Sequence, residues 1–191
     1  MNSVPVLPTP IIRLATATAL AVVLVASLGV GTSRAATDQA AASQAVASVA
    51  GSTASVVMPA GWRGDMLSRV NAVRAGAGLA PLKACSALRR AAQDYALVMA
   101  ATNSFGHVGP DGAAPWDRMQ AHGFSWQAAA ENIASGQTSI ADVMREWIED
   151  PGHYANLMDP RMVQVGFGFA VDPATGSRTY WVQDFGRGTG C

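Results

Sequence analysis

The segment that decides the fold is Val163-Gln-Val-Gly-Phe-Gly-Phe-Ala-Val171, near the carboxyl end of a chain of 191 residues. Large apolar residues occupy every second position, and this alternation is typical of a β-strand with one face in the core. The turn-forming cluster Asp172-Pro-Ala-Thr-Gly176 follows, and Arg178 to Phe185 has the composition of a second strand. The pattern therefore predicts an antiparallel β-hairpin.

Before the hairpin, apolar residues recur every three or four positions, which is the spacing of one helix face. This pattern predicts a helix from Trp62 to just before Gly76, a second at about Ala84 to Ala101, and a third from Ile140 to before Pro151. It also predicts a short helix over Pro115 to Ala121 and a weak strand over Trp126 to Ala130. Helices followed by antiparallel strands indicate an α+β fold in which helices cover an antiparallel sheet.

The first 35 residues have the pattern of a secretory signal peptide. Arg13 precedes an apolar segment without charges, Leu14 to Val30, and Ser33-Arg34-Ala35 offers small residues at the −3 and −1 positions of a cleavage site. We expect cleavage after Ala35 and no stable membrane span afterwards. The alternative is an uncleaved anchor, since the apolar segment is near the shortest length that spans a bilayer. Both interpretations place the remaining chain outside the cytoplasm, secreted or in the cell envelope.

Residues 36–60 are almost entirely small, with Asp38 as the one charge and no aromatic side chain. This composition offers little apolar surface to bury, so it predicts a flexible spacer. Residues 61–191 contain all the tryptophans, histidines and cysteines, and they are numerous enough to build one hydrophobic core. The sequence thus predicts a signal peptide (1–35), a spacer (36–60) and one folded domain (61–191).

Charge balance limits the class of partner. The chain has 13 basic and 13 acidic residues, so its formal net charge is zero. Domains that bind nucleic acid usually present a basic surface, and this balance therefore argues against a nucleic-acid partner.

The two cysteines are too few for a cysteine zinc cluster or a disulfide-rich miniprotein. In an exported domain, an even number of cysteines favours a disulfide between Cys85 and Cys191. The alternative is two unpaired thiols, with Cys85 buried in its helix and Cys191 free at the end of the chain.

Four residues are candidates for chemistry: His107, Glu131, Asp150 and His153. They match no local metal motif such as His-Glu-x-x-His, and the chain has no Gly-x-Ser-x-Gly nucleophile motif. If they act together, they must converge from distant segments. Two imidazoles and a carboxylate could bind zinc, form an acid/base pair, or make a buried network that fixes loops.

Other conspicuous side chains receive a structural interpretation. The five tryptophans are spread over predicted helices and strands, and we interpret them as core residues with Trp147 as the main anchor. His122 ends the short helix before Gly123, where an imidazole can bond a terminal carbonyl, and we assign it no chemical role.

Several segments, in consistent order between Trp62 and Gly186, resemble the CAP superfamily of cysteine-rich secretory, antigen 5 and pathogenesis-related class one proteins. The later segments are similar to its bacterial SCP-like extracellular branch. The segments are Arg69–Arg74, Gly78–Leu82, Phe105-Gly-His107, Glu131-Asn-Ile-Ala134, Trp147–Leu157, Val165–Gly168 and Tyr180–Gly186.

The resemblance implies an α-β-α sandwich with a large cleft lined by two histidines and two carboxylates, here His107, His153, Glu131 and Asp150. In some members a divalent metal, often zinc, occupies the cleft, and the resemblance implies His107, Glu131 and His153 as its ligands. Asp150 is the least secure of the four, because many bacterial relatives have a small polar residue there.

Three functions are compatible with these expectations. The first is a secreted CAP-domain protein whose cleft engages a lipid, a cell-envelope component or a protein. The alternative is a secreted metal-dependent or acid/base hydrolase that acts on peptide or cell-wall material. A third function is that of a structural cell-surface module in which the four residues only stabilise the fold. The sequence favours the first or the third function over an enzyme, because no serine lies in an activating motif and Cys85 is better used in a disulfide.

Overall fold

The computed structural model describes residues 56–191, so the predicted signal peptide and most of the predicted spacer lie outside the described residues. This part of the chain contains five helices and four strands. In order they are α1 (Trp62–Gly76), β1 (Lys83–Ala84), α2 (Ser86–Thr102), α3 (Pro115–Ala121), β2 (Ser125–Ser135), α4 (Ile140–Glu149), α5 (Pro151–Met158), β3 (Gln164–Val171) and β4 (Thr179–Thr189).

The four strands form one sheet in the order β1-β3-β4-β2. The predicted hairpin is confirmed as β3 and β4, and β2 pairs antiparallel with β4. The short strand β1 runs parallel to β3, so the sheet is mixed and not purely antiparallel. Sequence patterning missed β1 because two residues are too few to show an alternation.

Helices cover both faces of the sheet, which gives the predicted α-β-α sandwich. Alternate strand residues such as Phe167, Trp181 and Phe185 pack with α1, α4 and α5 in the larger core cluster. Residues of opposite parity, such as Ile133 and Val182, pack with α2. The period of two along each strand thus separates the two layers.

Helix α2 lies directly on strand β3 because two glycines leave room for its backbone. A Cβ atom at Gly166 would lie 2.2 Å from the backbone of Leu88, and one at Gly168 would lie 2.0 Å from the carbonyl oxygen of Ala92. No side chain fits at these distances. The small residues in the strand that decides the fold therefore set how closely its covering helix approaches.

Two elements near the candidate residues differ from the prediction. Strand β2 continues to Ser135, so Glu131 lies inside a strand and not just beyond one. His153 lies in helix α5, which begins directly after the cap residue of α4, whereas the sequence pattern places it just beyond the end of a helix. The side chain of Asp150 makes this restart possible, because it accepts a hydrogen bond from the backbone N–H of His153.

The tryptophan prediction is correct for three positions and wrong for two. Trp62, Trp147 and Trp181 are buried, and Trp147 is fully enclosed as expected. Trp116 and Trp126 are 48% and 44% exposed. Trp116 lies near the start of the short helix α3, and Trp126 lies near the start of β2.

Cys85 and Cys191 form a disulfide, with their Cα atoms 4.8 Å apart. The bond ties the end of the chain to the residue that precedes α2. None of the helices in residues 56–191 is both long and apolar enough to cross a membrane.

Candidate functional site

The four candidate residues form two separate histidine–carboxylate pairs. Nδ1 of His107 lies 2.8 Å from Oε1 of Glu131, and this pair joins the 103–114 loop to strand β2. Nδ1 of His153 lies 3.4 Å from Oδ1 of Asp150, at the junction of α4 and α5. Only the first of these contacts is a hydrogen bond, because Nδ1 of His153 is buried without a hydrogen-bond partner in the described part of the chain. The two carboxylates also have different surroundings.

Glu131 is a buried carboxylate, since only 1% of its side chain is exposed. Its second oxygen accepts a hydrogen bond of 2.7 Å from Nη2 of Arg118, a residue of helix α3. A buried charge needs a partner of opposite charge, and the guanidinium supplies it. Glu131 is thus held from both sides, by His107 at one oxygen and by Arg118 at the other.

Arg118 is the central residue that the sequence analysis missed. Besides Glu131, its guanidinium donates hydrogen bonds to the carbonyl oxygens of Ala113, at 2.8 Å, and His107, at 3.0 Å. The same group lies 3.4 Å from the ring centroid of Tyr95, a cation–π contact. Arg118 therefore joins α2, α3, β2 and the loop that carries His107. A lone arginine in a seven-residue helix gave no pattern that could have revealed this role.

Asp184 adds a second buried carboxyl group beside Glu131. The two residues are directly opposite in the register of β2 and β4, so their side chains lie on the same face of the sheet. Asp184 is 1% exposed, and Oδ1 of its side chain has no hydrogen-bond partner in the described part of the chain. Burial raises the pKa of Asp184 well above its ordinary value, and the nearby Glu131 raises it further, while Arg118 acts in the opposite direction.

Asp184 also went unnoticed in the sequence, although one signal was present. The run Tyr180-Trp-Val-Gln-Asp-Phe-Gly186 places one charged residue among aromatic, apolar and uncharged residues of a predicted strand. A carboxyl group in such a strand is costly to bury unless it is neutral or paired. That cost is the physical reason to expect a special environment there.

Asp150 has a different task from Glu131. Its Oδ1 accepts a hydrogen bond of 2.8 Å from the backbone N–H of His153, which makes it the N-cap of α5. Half of its side chain is exposed. The hydrogen bond from the His153 backbone lowers the pKa of Asp150, and the charge on the His153 ring and the Gly152 N–H act in the same direction.

Amide side chains connect the two pairs. Nδ2 of Asn132 donates to the carbonyl oxygen of His153 at 3.1 Å. Nδ2 of Asn156 donates to Oδ1 of Asn132 at 2.8 Å and to the carbonyl oxygen of Glu131 at 3.3 Å. Helix α5 is thereby fixed to strand β2 beside Glu131. The link runs through backbone groups, and the described contacts do not join the two imidazoles directly.

A groove of about 440 Å³ opens beside the first pair. His107 and Glu131 border it together with apolar residues that include Val108, Pro115, Trp116 and Ala130. Half of the His107 side chain is exposed. Because Nδ1 of His107 faces Glu131, its Nε2 atom is left for a ligand. Asp150 borders a separate, acidic groove with Glu146 and Glu149, and convergence of all four residues in one cleft stays a prediction.

The arrangement of these residues does not fit the three-ligand zinc site expected from His107, Glu131 and His153. Both Glu131 oxygens are engaged by His107 and Arg118, and the guanidinium charge opposes a nearby cation. Within residues 56–191, no group of three or more His, Cys, Asp or Glu side chains is arranged to hold a metal ion. Zinc binding therefore stays a prediction of the sequence, and no step of the function is derived through it.

Known proteins show the same domain. A sequence model of the Cysteine-rich secretory protein family, CAP, matches residues 67–185. Protein YkwD from Bacillus subtilis (strain 168) is 31% identical over 157 residues, which cover 81% of this chain and 59% of that protein. The chain therefore corresponds to somewhat more than half of this relative's length.

Solved structures agree on the fold. An extracellular protein containing a SCP domain from Bacillus anthracis str. Ames superimposes with a TM-score of 0.60 at 24% identity, over 66% of this chain and 40% of that one. An outer surface protein from Borrelia burgdorferi gives a TM-score of 0.59 at 21% identity, over 66% and 92% of the two chains. The family match covers more than half of the sequence, and the chain belongs to the CAP family of cysteine-rich secretory proteins.

Proposed function

We propose that this chain is an exported CAP-domain protein that binds an apolar ligand, a lipid of the cell envelope, in the groove beside His107. The observation that carries this proposal is that the ionisable residues at the groove, His107 and Glu131, already have partners within the protein. His107 and Glu131 are paired with each other, and Arg118 neutralises Glu131 from behind. What remains for a ligand is a mostly apolar surface with two polar groups, Nε2 of His107 and the side-chain amide of Asn156.

Export is supported by three observations. The N-terminal sequence has the pattern of a signal peptide. The disulfide between Cys85 and Cys191 suits an oxidising compartment. Two relatives of the same fold are described as an extracellular protein and an outer surface protein. N-terminal sequencing of the exported form should begin near Ala36, whereas an intact Met1 on membrane-bound protein would favour an anchor.

Trp116 gives the groove a direct test. It borders the groove and is half-exposed, while Trp126 is similarly exposed but does not border it. Titration with an uncharged monoacylglycerol should change tryptophan fluorescence. Trp116→Ala should weaken binding about tenfold or more, since a large aromatic contact is lost. The matched control Trp126→Ala should leave the affinity within about twofold of wild type.

Other outcomes separate the competing functions. Equal binding by the Trp116→Ala and Trp126→Ala variants, or no binding at all, would contradict a lipid ligand in the groove and leave a protein partner as the better proposal. Turnover of peptide, ester or glycan substrates by wild type, lost in His107→Ala, would instead support the hydrolase alternative.

A further inference from the structure

A second cavity lies at the opposite edge of the sheet from the groove. It measures about 320 Å³ and lies between α1 and the start of α2, where β3 continues past the end of β1. Its walls are largely apolar, with Leu67, Ala84, Val165 and Phe167 among the lining residues. Nothing in the proposed function uses this cavity.

Arg63 presents a fixed positive charge to the cavity. Its Nε donates to the carbonyl oxygen of Phe167 at 3.0 Å, its Nη2 donates to Oε1 of Gln93, and its guanidinium lies 4.4 Å from the ring centroid of Trp62. These contacts hold the group at the open edge of β3. The remaining Nη1 has no hydrogen-bond partner in residues 56–191, so it keeps its donors for a ligand.

Arg89 brings a second positive charge to the same cavity. In the described part of the chain it forms no ion pair, and no acidic side chain lines the cavity. Burial lowers the pKa of Arg63, and the nearby positive charge of Arg89 lowers it further. Two like charges therefore face one cavity without a carboxylate between them.

The start of helix α2 adds to this positive potential. Ser86, the first residue of α2, lines the cavity, and the N-cap residue Cys85 supplies no side-chain acceptor because its sulfur is in the disulfide. The helix end carries a partial positive charge in the same direction as the two arginines.

We propose that this cavity binds a phosphate monoester that carries a short apolar group. A phosphate monoester has a charge near −2 at neutral pH, which matches the two arginines. Guanidinium groups bind phosphate oxygens with two parallel hydrogen bonds, and this geometry favours phosphate over a simple halide. The apolar walls receive the carbon chain of the ester. The same chemistry occurs in a soluble alkyl phosphate and in the headgroup of a phosphatidic acid.

Calorimetric titration of the full-length exported protein tests this site, with inorganic phosphate and butyl phosphate as probes. Butyl phosphate should bind at least tenfold more tightly than inorganic phosphate, since each buried methylene contributes about 0.8 kcal/mol. Arg89→Gln should weaken butyl phosphate binding about tenfold through the loss of one charge-assisted partner. Arg89 is exposed, so this variant should remain folded, and circular dichroism verifies that.

Arg90→Gln is the matched control, because Arg90 is the next residue of the same helix, is also exposed and does not line the cavity. It should change the affinity by less than twofold. No heat with butyl phosphate, or equal weakening in the two variants, would overturn the proposal. Co-sedimentation with phosphatidic acid vesicles that is lost in Arg89→Gln would assign the site to a lipid headgroup. Binding of butyl phosphate without co-sedimentation would assign the site to a soluble phosphate ester. Either result supports the proposed site.

Discussion

The two histidine–carboxylate pairs of this CAP domain each join an imidazole to a carboxylate but differ in their physical surroundings. In the pair of His107 and Glu131, the carboxylate lies inside a strand with 1% of its side chain exposed. In the pair of His153 and Asp150, half of the carboxylate is exposed and it caps a helix. The comparison teaches that burial decides what each carboxylate needs from its surroundings.

A buried carboxylate requires compensation from the protein, whereas an exposed one receives it from water. Glu131 has Arg118, and the neighbouring Asp184 responds to burial by a raised pKa that favours its neutral form. Asp150 instead uses its oxygens to satisfy backbone N–H groups, and its pKa is lowered. Folding thus raises the pKa of Asp184 and lowers the pKa of Asp150 within one domain.

The largest effect should come from Arg118→Met, which leaves Glu131 buried without its cation. Breaking a buried ion pair by removing one partner costs about 3–5 kcal/mol. Urea unfolding of the variant should therefore show a loss of this size in the free energy of unfolding. The exposed Arg89→Met serves as the control, because the side chain of Arg89 makes no hydrogen bond or ion pair within residues 56–191, and it should stay within about 0.5 kcal/mol of wild type. Equal losses in both variants would remove the distinction between the two pairs.

The next effect concerns Asp184 and its dependence on pH. Because its pKa is raised by folding, its contribution to stability is fully present below about 3.9, the pKa of an unfolded aspartate, and is lost as pH rises through the folded-state pKa. Asp184→Asn cannot ionise, so the free energy of unfolding of this variant relative to that of wild type should rise as the pH increases from about 4 to 8. A difference that does not change with pH would contradict a neutral Asp184.

Asp150→Ala should destabilise the fold by a smaller amount, and this loss should depend on pH in the opposite direction to that of Asp184. Loss of the cap of α5 should lower the melting temperature at neutral pH by about 3 °C. Because the pKa of Asp150 is lowered by folding, its contribution is present above about 3.9 and is lost as pH falls through the folded-state pKa. The gap in melting temperature between variant and wild type should therefore close in acid. A gap that widens in acid would be incompatible with a capping carboxylate.

The smallest expected effect is that of zinc. Arg118 and His107 occupy both oxygens of Glu131, so saturating zinc should change the melting temperature of wild type by less than about 1 °C. If zinc did bind, a concentration of about a hundredfold over Kd would raise the free energy of unfolding by about 2.7 kcal/mol. A rise of several degrees that His107→Ala abolishes would restore the zinc site predicted from the sequence.

Sequence patterning predicted the hairpin and the main helices because their apolar periods are long enough to count. It failed where short-range signals were absent or ambiguous. Strand β1 has two residues, and Ala128, Ala129 and Ala130 in β2 hide the alternation that would have extended this strand to Glu131. The sequence pattern does not predict helix α5, because a proline commonly follows the end of a helix. Here Pro151 is instead the first residue of the next helix.

The candidate site was only partly accessible from the sequence for a similar reason. His107, Glu131, Asp150 and His153 came from segments that resemble a family, and the resemblance named them without their environment. Arg118 and Asp184 belong to the site only because folding brings them beside Glu131. Arg118 reaches it from a short helix, and Asp184 lies opposite it in the strand register. Their role depends on contacts between distant segments, which no local pattern records.

Carboxyl carbon-13 NMR of Asp184 between about pH 3 and 9 tests the central claim most directly, with the resonance assigned by its loss in Asp184→Asn. A buried cluster of Glu131, Arg118 and Asp184 beneath the groove predicts that the Asp184 carboxyl group remains protonated well above the range of an ordinary aspartate. A titration midpoint at or below about 3.9, the value of an unperturbed aspartate, would contradict this cluster.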